Sequence, residues 1–158
     1  MGTRALTYRD GRAWRFDPWL AETERMERNV EAGEPLPCGA QTPDFVDAWM
    51  QANGAAGTIV VVRHSQLGLY EYLLDEVRRS DLRLKRVYLA DHGAFRLNGE
   101  NLAPPRGRFS LLAPVGPVLE AAIDGRTWMK GRPAFRRPLS PHERSLAEVV
   151  RRQERERA

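Results

Sequence analysis

Five cations and no carboxylate occupy the segment Gly125–His142, GRTWMKGRPAFRRPLSPH: Arg126, Lys130, Arg132, Arg136 and Arg137. Trp128 and Phe135 stand among them. A guanidinium grips phosphate oxygens in a two-pronged fork. Each such contact on a nucleic acid also releases a condensed counterion. Exposed aromatic rings can add base stacking of about 1–3 kcal/mol per base. The segment therefore predicts a nucleic-acid-binding surface, DNA or RNA, made of Arg126, Trp128, Lys130, Arg132, Phe135, Arg136 and Arg137, with Arg86 and Arg96 added from upstream. Tyr88 is a further stacking candidate. The other scattered arginines are expected to pair with the chain's 21 acids.

The three histidines offer the competing chemistry. His64-Ser65 follows a strong strand signal, and Asp91-His92 lies between two others. If the strand ends met, Asp91, His92, His64 and Ser65 would form a hydrolytic or metal-binding cluster. No HExxH, Gly-x-Ser-x-Gly or phosphate-loop spacing supports this, so these residues are expected to serve turns and surface, and no cofactor or metal is expected. The acidic pairs Asp75-Glu76 and Glu22/Glu24 are read as a solvated face, given their charged neighbours. Cys38 is the only cysteine, which excludes an intrachain disulfide and a cysteine-based zinc site.

Composition bounds the class. The chain has 158 residues, 42% hydrophobic and 29% charged, with four tryptophans, as a folded protein with a modest core requires. Net charge is +4, unevenly spread: residues 1–57 carry 6 bases against 9 acids, and residues 58–158 carry 19 against 12. That polarity suits a polyanionic partner or contact between chains. No apolar run reaches signal-peptide or membrane-spanning length, so the expectation is a cytoplasmic protein with no membrane contact.

The elements that would carry these residues fall in three regions. Residues 1–57 read as helical after a short strand or hairpin at 1–16. Asp17-Pro18 opens one helix, and Thr42-Pro43 opens a second, with Phe45, Val46, Trp49 and Met50 as its apolar stripe. Residues 58–124 read as a small antiparallel β-domain: Thr58–Arg63, Leu67–Arg79, Arg83–Ala90, Ala94–Leu97 and Phe109–Leu112. Leu67–Arg79 also fits helical spacing, but its neighbours and its tyrosines favour a strand. Pro117–Ile123 makes one or two helical turns closed by Gly125. Residues 125–158 hold the basic segment and a C-terminal helix opened by the capping box Ser140-Pro-His-Glu143. Leu146, Val149 and Val150 give that helix a thin apolar stripe, a possible homodimer contact.

The fold class expected is α+β: a small curled antiparallel sheet or barrel with two N-terminal helices and a C-terminal helix. The stretch VVVRH…YEYLLDEV…RVYLADHGAFRLNGENL, with its Asn98-Gly99 turn, resembles the SH3-like small barrels of many bacterial and phage proteins. It covers about a third of the chain, and the resemblance implies fold alone. The function expected is non-enzymatic nucleic-acid binding. The alternatives are a phage or mobile-element factor that binds a host protein complex, and a small hydrolase using His64 and His92.

Overall fold

The computed structural model describes residues 41–102, 108–129 and 132–157. The expected hairpin at 1–16, the first helix, Cys38 and Lys130 lie outside them.

Helix α1 (Pro43–Asn53) starts where the sequence predicts. Thr42 Oγ1 accepts the Phe45 amide at 3.1 Å, and Pro43 fills a position with no amide to satisfy. Val46 and Met50 are buried, whereas Phe45 is 45% exposed, so the working stripe is narrower than the sequence implied. Strand β1 (Ile59–Gln66) follows and turns into the 13-residue β2 (Leu69–Asp81) through Leu67-Gly68. Both turn residues have positive φ, +51° and +82°, as a two-residue hairpin loop of type I′ geometry demands. Leucine is poorly suited to that conformation, and this one is 96% exposed. The segment around Leu67–Arg79 is thus a strand, but it begins two residues later than expected. Leu67→Asn should stabilise the protein by about 0.5–1 kcal/mol, read as a rise in the denaturation midpoint at constant slope.

Strands β3 (Arg86–Leu89), β4 (Gly93–Arg96) and β5 (Phe109–Leu112) complete an antiparallel sheet in the order β4-β3-β2-β1-β5. Arg83–Lys85, expected to begin β3, lie in the preceding turn, and Leu84 is 52% exposed there. Isolated bridges Phe95↔Asn101 and Glu100↔Ser110 carry the chain from β4 across to β5, curling the sheet into a half-barrel. Gly99 makes this possible. Its φ is +102°, and a side chain there would meet the Leu111 carbonyl at 2.6 Å.

After β5 come α2 (Gly116–Asp124), β6 (Arg126–Met129), β7 (Arg132–Arg136) and α3 (Pro141–Arg157). Gly125 ends α2 in the left-handed conformation. Strand β6 pairs with β2 and β7, and among the described residues β7 pairs with β6 alone. The predicted capping box is present: Ser140 Oγ accepts the Glu143 amide at 3.1 Å, and Glu143 Oε1 accepts the Ser140 amide at 3.2 Å.

By register, Val60, Val62, Leu73 and Leu111 share one sheet face, and Val61, Leu74 and Leu112 the other. Successive residues Val60, Val61 and Val62 are all fully buried, so both faces are covered at β1. Helix α2 packs on β1 and β2, and α3 packs on β2, with Val118, Ala122, Leu146 and Ala147 in the shared core. Leu146 and Val150 are each 6% exposed, so most of the C-terminal stripe is spent on the protein's own core. No described helix is long and apolar enough to cross a membrane.

Candidate nucleic-acid interface and histidine–carboxylate cluster

The basic segment is a two-stranded ribbon. Strand β7 is exposed at every residue, and Phe135 is 54% exposed. Arg126 and Arg136 stand directly opposite each other in the β6–β7 ladder. Like charges in that position repel. Among the described residues, Asp124 reaches Arg136 only at 4.0 Å and is itself half in solvent. Arg132 is exposed and has no carboxylate partner among the described residues. The ribbon therefore presents Arg126, Arg132, Arg136 and Phe135 with little internal neutralisation.

Two residues expected on this surface are not on it. Arg137, just after β7, turns inward. Its Nη2 donates to Glu143 Oε2 at 2.6 Å and to the Tyr72 carbonyl at 2.8 Å, and its Nη1 donates to Glu143 Oε1 at 2.9 Å. Its Nε lies 3.6 Å from Glu71. The physical reason lies in β2. That strand pairs with β6 at Leu69–Glu71 and with β3 from Val77 onward, which leaves an open edge at Tyr72–Glu76. The Arg137–Glu143 pair fills it: Arg137 takes the Tyr72 carbonyl, and Glu143 Oε2 accepts the Leu74 amide at 3.3 Å. Burial pushes the Glu143 carboxyl up, but the Arg137 guanidinium and the Ser140 and Leu74 amides more than offset it and hold it below the usual carboxylate range. Trp128 also turns inward. Its ring is partly buried against the core, and Nε1 is shielded from solvent, so less of it is open to a base than the sequence implied.

Arg86 and Arg96 are likewise opposite each other, on β3–β4. Arg96 is paired with Glu100 at 2.8 Å. From Glu71, where β6 pairing ends, to Val77, where β3 pairing begins, β2 runs about 20 Å. These two arginines are therefore apart from the ribbon. Tyr88 is covered by the Arg79 guanidinium, 3.9 Å from its ring centre.

The histidines do meet. His64, Glu71, Asp75 and Phe109 share the sheet face of Val62. The Phe109 ring stacks on His64 at 4.8 Å and lies tilted against His92 at 5.2 Å. His92 Nδ1 donates to Asp75 Oδ2 at 2.7 Å, and His64 Nδ1 is 3.5 Å from Glu71. His142, the second residue of α3, brings Nε2 to 3.7 Å from both Asp75 Oδ1 and Asp91 Oδ2. Ser65 is absent from this group because alternation sends it to the other face.

Asp75, expected on a solvated face, is fully buried at 0% exposure. Burial raises its pKa, but His92 and the amides of Glu76 and Asp91 outweigh that and hold it below the ordinary value, so the carboxylate stays ionised. Sequence reasoning missed both Asp75 and His142. The one available signal was that a strictly alternating strand places Asp75 on the same face as Leu73 and Val77.

Comparison with protein-family models, curated proteins and solved structures gives no match for this chain.

Proposed function

We propose that this protein is a non-enzymatic nucleic-acid-binding protein whose β6–β7 ribbon contacts duplex DNA, on a curled sheet read as an SH3-like small barrel. One observation carries the reading: Arg126 faces Arg136 across the ribbon, beside an exposed Arg132 that has no carboxylate partner among the described residues. Like charges directly opposite destabilise a ladder, and an anion held between them would offset that cost. The shape favours duplex DNA over duplex RNA. A two-stranded ribbon fits the wide major groove of B-form DNA, whereas the corresponding groove of A-form RNA is too narrow for side chains to read.

The triple variant Arg126→Glu/Arg132→Glu/Arg136→Glu tests it. Wild type is expected to bind a mixed-sequence DNA duplex at low salt, and the variant, folded by circular dichroism, to show no binding by fluorescence anisotropy. Binding retained by the variant, or none by the wild type, sinks the proposal.

Phe135 and Met129, 54% and 44% exposed, favour a second reading in which the same ribbon meets a protein complex. Capture of one partner protein that survives nuclease treatment and is lost in Phe135→Asp would support it. The hydrolase reading draws support from the Asp75–His92 pair, but Ser65 faces away from it.

A further inference from the structure

Asp75, Asp91 and His142 come from a strand, a turn and a helix start, and no sequence spacing links them. Their ligand atoms nevertheless lie within 4.8 Å of one another. His142 Nε2 sits 3.7 Å from one oxygen of each carboxylate, too far for a hydrogen bond. The Nε2 atom itself is shielded from solvent, although the His142 side chain is 37% exposed, and it has no hydrogen-bond partner among the described residues. An imidazole nitrogen flanked by two carboxylates and bonded to neither is the arrangement a shared cation would explain. Ligand atoms about 2.1 Å from one metal ion stand roughly 3–3.7 Å apart, and the two measured gaps match that.

We infer that Asp75, Asp91 and His142 form a binding site for a divalent transition-metal ion of the zinc class. One imidazole and two carboxylates suit such an ion better than Mg²⁺ or Ca²⁺, which prefer oxygen ligands alone. The surroundings fit a metal's outer shell. Asp75 Oδ2 is held by the His92 ring and the Asp91 amide, and Oδ1 by the Glu76 amide, so the buried ligand is fixed before any ion arrives. Asp91 is 61% exposed at its side chain, so its carboxylate can close the remaining distance. With three protein ligands, the fourth position is left to water. The dipole of α3 opposes a cation at its N-terminus, which is why both carboxylates are required.

The test uses the full chain stripped with a chelator and dialysed against Zn²⁺. One equivalent is expected to bind and to raise the melting temperature. Co²⁺ in its place should give visible absorption bands. Asp91→Asn, a surface change that leaves the core untouched, and His142→Ala should each weaken binding at least about tenfold, following the loss of one ligand of three. No stoichiometric binding, a loss below tenfold in both variants, or equal competition by Mg²⁺ overturns the assignment.

Discussion

Arg137→Ala is expected to destabilise the protein by about 3–5 kcal/mol, the cost of stranding a buried partner charge. The guanidinium is 13% exposed and Glu143 9%, and both are tied to the backbone of β2. Removing Arg137 leaves Glu143 ionised in a low-dielectric site and the Tyr72 carbonyl without that donor. At this chain length the melting temperature should fall by roughly 10 °C. Glu143→Gln should cost less, because its one acceptor oxygen can still take either the Ser140 or the Leu74 amide, though not both, and Arg137 keeps the Tyr72 carbonyl. The double variant should be milder than the sum of the singles by at least about 1 kcal/mol, as groups sharing one network are. A calorimetric loss under about 1 kcal/mol for Arg137→Ala would mean that the pair does not hold the open edge of β2.

The second large effect concerns salt. With Arg126, Arg132 and Arg136 each meeting one phosphate, the affinity for duplex DNA should drop about 40-fold between roughly 50 and 200 mM salt, following a log–log slope near −2.7. Arg132→Gln should flatten that slope by about one unit. Arg137→Lys should leave it unchanged, since that residue faces inward. Anisotropy titrations across the salt series measure both. A flat wild-type slope would remove phosphate contact as the source of binding.

Much of the fold was legible because local chemistry and tertiary packing agree. Strand β5 lies exactly at Phe109–Leu112, the Ser140–Glu143 capping box opens α3, and Asn98-Gly99 marks the turn that curls the sheet. Legibility failed where local preference was overridden. Leu67 occupies a conformation that favours Asn or Gly, so nothing in its identity announced the β1–β2 turn. The basic segment contains no acid from Gly125 to His142. Its true partner is the next residue, Glu143, which α3 turns back onto Arg137. The histidine–carboxylate cluster was only half visible. His64 and His92 meet around Phe109 as strand ends can, but Asp75 and His142 join through contacts 67 residues apart in sequence. Such contacts leave no spacing to read.

The outer strand of the ribbon has one further consequence. Among the described residues strand β7 pairs on one side only, which offers a second chain a template for sheet extension. Pro133 withholds an amide from any such neighbour, and the flanking cations push a second copy away. The charges credited with gripping DNA thus also keep molecules from stacking edge to edge. Neutral replacements at Arg132 and Arg136 would silence both roles together, whereas reversal to glutamate would keep the mutual repulsion and isolate the first.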